Sequence, residues 1–218
     1  FGYRRQRQMC IRDSFNVILS YGLETSFFRF YNKEKNKKDV LNTAAVSILI
    51  SSFLFASIFS IFKINISHFT GISTGYLSII VWILVADALT VIPFAYLRLK
   101  GSAIKYSVVK IVNVIIYFSL NIFLLIFLKD LIHSYEIFES IYVENYEVAY
   151  IFIANLIASI SSLLLLLPFY FEINYKANIE LLKRMLAYGF PILISGLAFT
   201  INETFDKILL GSSALRFI

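Results

Sequence analysis

VLNTAAVSILISSFLFASIFSIF, residues Val40 to Phe62, runs for 23 residues without a charge. Its apolar residues do not alternate with polar ones, so a half-buried strand is excluded. As a helix it exceeds the ~20 residues needed to cross ~30 Å of hydrocarbon. Only Asn42, Thr43 and a handful of serines interrupt it. These are residues that a helix in lipid can satisfy against its own carbonyls or a neighbour's. This stretch reads as a transmembrane helix.

On either side the same pattern recurs. Upstream lies the charged loop NKEKNKKD (Asn32–Asp39), preceded by an apolar segment, Phe15 to Tyr31, that contains Glu24 and Arg29. Downstream, a short connection with Lys63 and His68 leads to Tyr76–Leu97. Val108–Leu128 and Val148–Phe171 follow, and then Met185–Leu210. The expectation is an all-α polytopic membrane protein with six transmembrane segments. Outer-membrane strands would be ~10 residues long with alternating polarity, which is not the pattern here.

Composition agrees. Of 218 residues, 59% are hydrophobic and 16% charged, with mean hydropathy +0.76; soluble domains average ~45–50% and ~25%. The net charge is +6, but basic residues in short loops fit membrane orientation better than phosphate-backbone binding, and no nucleic-acid partner is expected. Residues Met9–Ser14, MCIRDS, resemble the translation of a transposase adapter end, so residues 1–14 are expected to be a non-native segment. Setting them aside leaves 16 basic against 13 acidic residues and removes Cys10, the single cysteine.

The loops are asymmetric. Ten basic residues fall in loops 32–39, 98–105 and 172–184 or at their edges, against Lys63 and Lys129 on the opposite side. The excess assigns the three lysine-bearing loops to the cytoplasm.

The chemistry-bearing residues are few. Asp87 lies near the middle of its span, where a carboxylate costs at least ~2.5–3.5 kcal/mol. Three readings stand open: it binds a proton or sodium ion, pairs with a basic residue of another helix, or is a protonated acid hydrogen-bonded to helix neighbours such as Thr90. Glu24 is a cavity candidate, and Arg29 either joins it or snorkels to the headgroups. Asn113 interrupts its span as a further polar candidate. Glu203 and Lys207 are spaced i, i+4, with Asn202 and Asp206 on the adjacent face; they form either a helix end or a patch lining a cavity. Small residues recur every fourth position at Ser52, Ala56, Ser60 and at Ala154, Ala158, Ser162, which favours close helix packing. His68 and His133 have no companions at ligand spacing, so no metal site is expected. No phosphate-cradling glycine loop and no activated nucleophile is present, so no catalytic residue, no cofactor and no enzyme activity are expected.

Three stretches, YGLETSFFRF (Tyr21–Phe30), DALTVIPFAYLR (Asp87–Arg98) and YGFPILISGLAFTINETFDKILL (Tyr188–Leu210), resemble polysaccharide flippases of the multidrug/oligosaccharidyl-lipid/polysaccharide exporter superfamily. The O-antigen and capsule types are the nearest, and the drug-exporting MATE branch is related. The resemblance implies a transporter of roughly 12–14 helices in two halves around a cavity. Residues 15–171 would then supply five helices of the first half, 172–184 a cytoplasmic link, and 185–210 the first helix of the second half. It also implies a bacterial inner-membrane location and alternating access coupled to H+ or Na+. The substrate would be an undecaprenyl-type lipid-linked oligosaccharide for lipopolysaccharide or capsule synthesis, and assembly enzymes would be partners. Asp87, Glu24, Arg29, Glu203, Asp206 and Lys207 fall within the matching stretches. An ion-coupled drug or cation antiporter and a non-transporting scaffold are the alternatives.

Overall fold

The computed structural model describes residues 19–20, 22–127 and 147–214, with backbone only for 70, 147 and 203–214. The described residues form six helices joined by short connections, with no strand among them: α1 (Leu23–Lys33), α2 (Lys37–Thr70), α3 (Thr74–Leu99), α4 (Ala103–Ile122, continued by a π-turn at Phe123–Phe127), α5 (Glu147–Phe171) and α6 (Ile179–Ala214). Five of them, α2 to α6, are long and apolar enough to cross a membrane. The chain is a multi-pass membrane protein built as a helical bundle.

The helices overrun the expected spans. Lys63 and His68 belong to α2, whose 34 residues measure about 50 Å and exceed the hydrocarbon core. The α2–α3 connection shrinks to Gly71–Ser73. Helix α4 takes in Lys105, and α6 starts at Ile179, which puts Lys183 and Arg184 on the helix. The α6 start is fixed by Asn178, whose Oδ1 accepts from the backbone N–H of Glu180 at 3.0 Å and of Leu181 at 3.1 Å, as an N-cap asparagine does. The loop expected at Lys129–Glu147 lies almost wholly outside the described residues.

The chain divides into two compact units, Phe1–Ser52 with Ile173–Ile218, and Phe53–Glu172. In the first, α1 packs on α6. Ser26, fully buried, donates from Oγ to the Met185 carbonyl at 2.9 Å. One turn away the backbones meet: a Cβ on Gly22, whose φ is +66°, would lie 2.4 Å from the Gly189 oxygen. Glycine at 22 is thus required twice, by conformation and by space. Helix α6 runs unbroken past Gly189 and Pro191. Gly189 serves as the surface that lets α1 in.

In the second unit α5 is the centre, packing extensively on both α3 and α4, which touch each other much less. Phe94, Val109 and Leu166, one from each helix, form a buried cluster flanked by Leu97 and Tyr106. Ala154, Ala158 and Ser162 are all buried on α5, and this small-residue stripe is what admits its neighbours. The other stripe behaves differently: Ser52 is buried, Ala56 half-buried and Ser60 exposed. Ile104, Ile111, Ile115 and Phe118 of α4 are exposed, an outer surface suited to lipid chains.

Candidate functional site

Polar side chains from α3, α4 and α5 meet halfway along their helices. Asp87 lies 13 residues after Thr74 and 12 before Leu99, and Ser159 lies 12 from each end of α5. Asn113 lies 10 after Ala103 and 9 before Ile122. At 1.5 Å per residue Asp87 and Ser159 are about 18–20 Å from either helix end, which is mid-bilayer depth.

Ser159 Oγ donates to Asp87 Oδ1 at 2.7 Å. One turn along α5, Asn113 Nδ2 donates to Ser162 Oγ and to the Ala158 carbonyl, both at 2.9 Å. Ser159 and Ser162 are spaced i, i+3 and share a face of α5. The result is a polar seam in which α5 joins the α3 carboxylate to the α4 amide. Ser159 and Ser162 are buried, while Asp87 and Asn113 are half-buried. Thr90, one of the helix neighbours considered for the acid, donates to the Asp87 backbone carbonyl at 2.7 Å. Chemically the seam offers a carboxylate, two hydroxyls and a carboxamide at mid-span.

The same face of the bundle corrects a helix defect. Pro93 sits inside α3, has no N–H, and so leaves the carbonyl four residues earlier without its helical donor. That carbonyl is Leu89's, and the Tyr170 hydroxyl of α5 donates to it. A neighbouring helix supplies the bond that proline removes, as a membrane interior requires.

Of the other sequence candidates, Glu24 is half-buried on α1 and has an interaction partner. Arg29 is exposed, with its guanidinium 4.1 Å from the centroid of the Tyr188 ring. Beside it Phe30 meets Tyr188 edge-on at 6.4 Å, and Arg184 pairs with Glu34 at 2.9 Å. Arg29 is thus engaged at a helix end by an α6 aromatic. Glu24 and Arg29 belong to the first unit, whereas the seam belongs to the second. The side chains of Glu203, Asp206 and Lys207 lie outside the described residues. Among the described residues no three His, Cys, Asp or Glu side chains group as metal ligands.

Sequence reasoning singled out Asp87 and Asn113 but not their partners. Ser159 had no visible signal, since a serine in an apolar helix often bonds its own backbone. Tyr170 could have been sought from Pro93, which fixes which carbonyl is orphaned.

No family model, characterised protein or solved structure matches this chain. The flippase resemblance therefore rests on the three sequence stretches alone.

Proposed function

We propose that the protein takes part in moving an undecaprenyl-type lipid-linked oligosaccharide between the leaflets of a bacterial inner membrane by alternating access. In this reading H+ or Na+ supplies the drive, and the loops at 32–39, 98–105 and 172–184 face the cytoplasm. The observation that carries it is the Asp87 carboxylate at mid-span, on a seam shared by three helices. An acid at that depth carries a large desolvation cost, and acids retained there mark ion or substrate pathways. The seam's hydroxyls and carboxamide have the hydrogen-bonding capacity that a sugar or a partly dehydrated cation needs. The multi-pass helical architecture and the three resembling stretches support the same reading.

The test is translocation of a fluorescent lipid-linked oligosaccharide in proteoliposomes under an imposed ion gradient. Wild type should flip it and Asp87→Asn should not, although Asn keeps an acceptor for Ser159. Efflux of organic cations without any flipping would move the assignment to a drug antiporter. One specific observation favours a second reading, a non-transporting scaffold: the Asp87–Ser159 and Asn113–Ser162 bonds also work as plain interhelical clips. In that case Asp87→Asn and Glu24→Gln leave the cellular phenotype intact.

A further inference from the structure

The first unit gathers positive charge that the sequence leaves in two separate places. Lys33, Lys35, Lys37 and Lys38 lie at the α1–α2 junction, and Lys176 and Lys183 lie at the start of α6. Three contacts tie the two stretches to one end of the unit. The Asn178 N–H donates to Thr43 Oγ1 at 3.0 Å, Arg184 pairs with Glu34, and Arg29 stacks on Tyr188. All six lysines are exposed. Their acidic neighbours are few: Glu34 is taken by Arg184, and Asp39 accepts from Asn36 Nδ2 at 2.8 Å. Asp39, which keeps its charge, and Glu180 are the acids that remain in these stretches, two against six lysines. The lysines thus outnumber the acids left to face them.

The N-termini of α2 and α6, both membrane-crossing helices, open at this same end. Helix N-termini carry partial positive charge that adds to the attraction for anions. The ends of membrane spans lie at headgroup level, and clustered lysines there attract anionic lipid.

We propose that this face binds the phosphate headgroups of anionic phospholipids, anchoring the α1–α6 end of the protein to one leaflet. The ligand is lipid phosphate in the bilayer plane, recognised by lysines on two elements that only the fold brings together. The inference needs the multi-pass architecture but not the transport reading, and it stands if flipping is absent.

The experiment is native mass spectrometry of the full-length protein released from nanodiscs of mixed phosphatidylglycerol and phosphatidylcholine. Retained lipid should be enriched in phosphatidylglycerol by about 5- to 30-fold, the effect of one to two lysines per headgroup. Changing all six lysines to Gln should abolish the enrichment, while changing them to Arg should preserve it. Retained lipid that mirrors the bulk mixture would overturn the proposal, as would enrichment that survives in the Gln variant. Displacement of the lipid by millimolar inorganic phosphate would also overturn it, since the site would then serve a free anion. The readout is a ratio within each variant, so a loss of stability in the Gln protein does not mask the result.

Discussion

Replacing Gly22 with alanine tests the close approach of α1 to α6. Two costs are separable. A side chain at φ +66° meets left-handed strain of about 1–2 kcal/mol. The added carbon would also lie 2.4 Å from the Gly189 oxygen, about 1 Å inside a normal contact. In a close-packed interface that forces the helices apart, an overpacking cost of about 1–3 kcal/mol. Their separation also stretches the Ser26–Met185 bond, and interhelical bonds in lipid average ~0.6 kcal/mol. Gly71→Ala is the matched control. It has φ +69° with nothing within 4 Å of the new carbon, so it reports strain alone. Unfolding in bicelles by titrated SDS should show Gly22→Ala losing about 1–3 kcal/mol more than Gly71→Ala. Equal losses in the two variants would refute the claim that backbone contact holds α1 on α6.

Tyr170→Phe should destabilise by about 1–3 kcal/mol, because the Leu89 carbonyl is left without a donor. In a Pro93→Ala background the penalty should shrink, since alanine at that position returns an N–H, and a double-mutant cycle measures the difference. Asn113→Ala should cost about 1 kcal/mol through its two bonds to α5, read by the same SDS titration. Arg184→Ala removes an ion pair whose arginine is 55% exposed and should change stability by no more than about 1 kcal/mol. A larger loss would show that Arg184 acts through something other than that pair.

The transmembrane character was legible because it depends on composition over ~20-residue windows, and five such helices stand among the described residues. Helix ends were less legible. Lys63 and His68 read as part of the connection after the span, yet the helix carries on through them to Thr70. What ends it is Gly71, whose N–H closes on the Ser67 carbonyl at 2.9 Å, and a glycine stop was there to be read. Asp87 stood out because charge at mid-span is costly whatever surrounds it. Its partner Ser159 did not, because the identity of neighbouring helices is a three-dimensional fact. The stripe at Ala154, Ala158 and Ser162 shows the boundary: periodicity revealed that something packs closely, while only the fold names α3 and α4. The stripe at Ser52, Ala56 and Ser60 has the same spacing and is mostly uncovered, so spacing alone does not predict burial.

The central place of α5 has a consequence for how the chain is made. Helices α3 and α4 leave the ribosome first, carrying Asp87, Asn113 and the Leu89 carbonyl. Helix α5 brings each of them a bond: the Ser159 hydroxyl, the Ser162 hydroxyl with the Ala158 carbonyl, and the Tyr170 hydroxyl. Helices α3 and α4 touch each other much less than either touches α5, and polar groups in lipid need protein partners. Assembly of the three is completed only when the fifth helix enters the membrane.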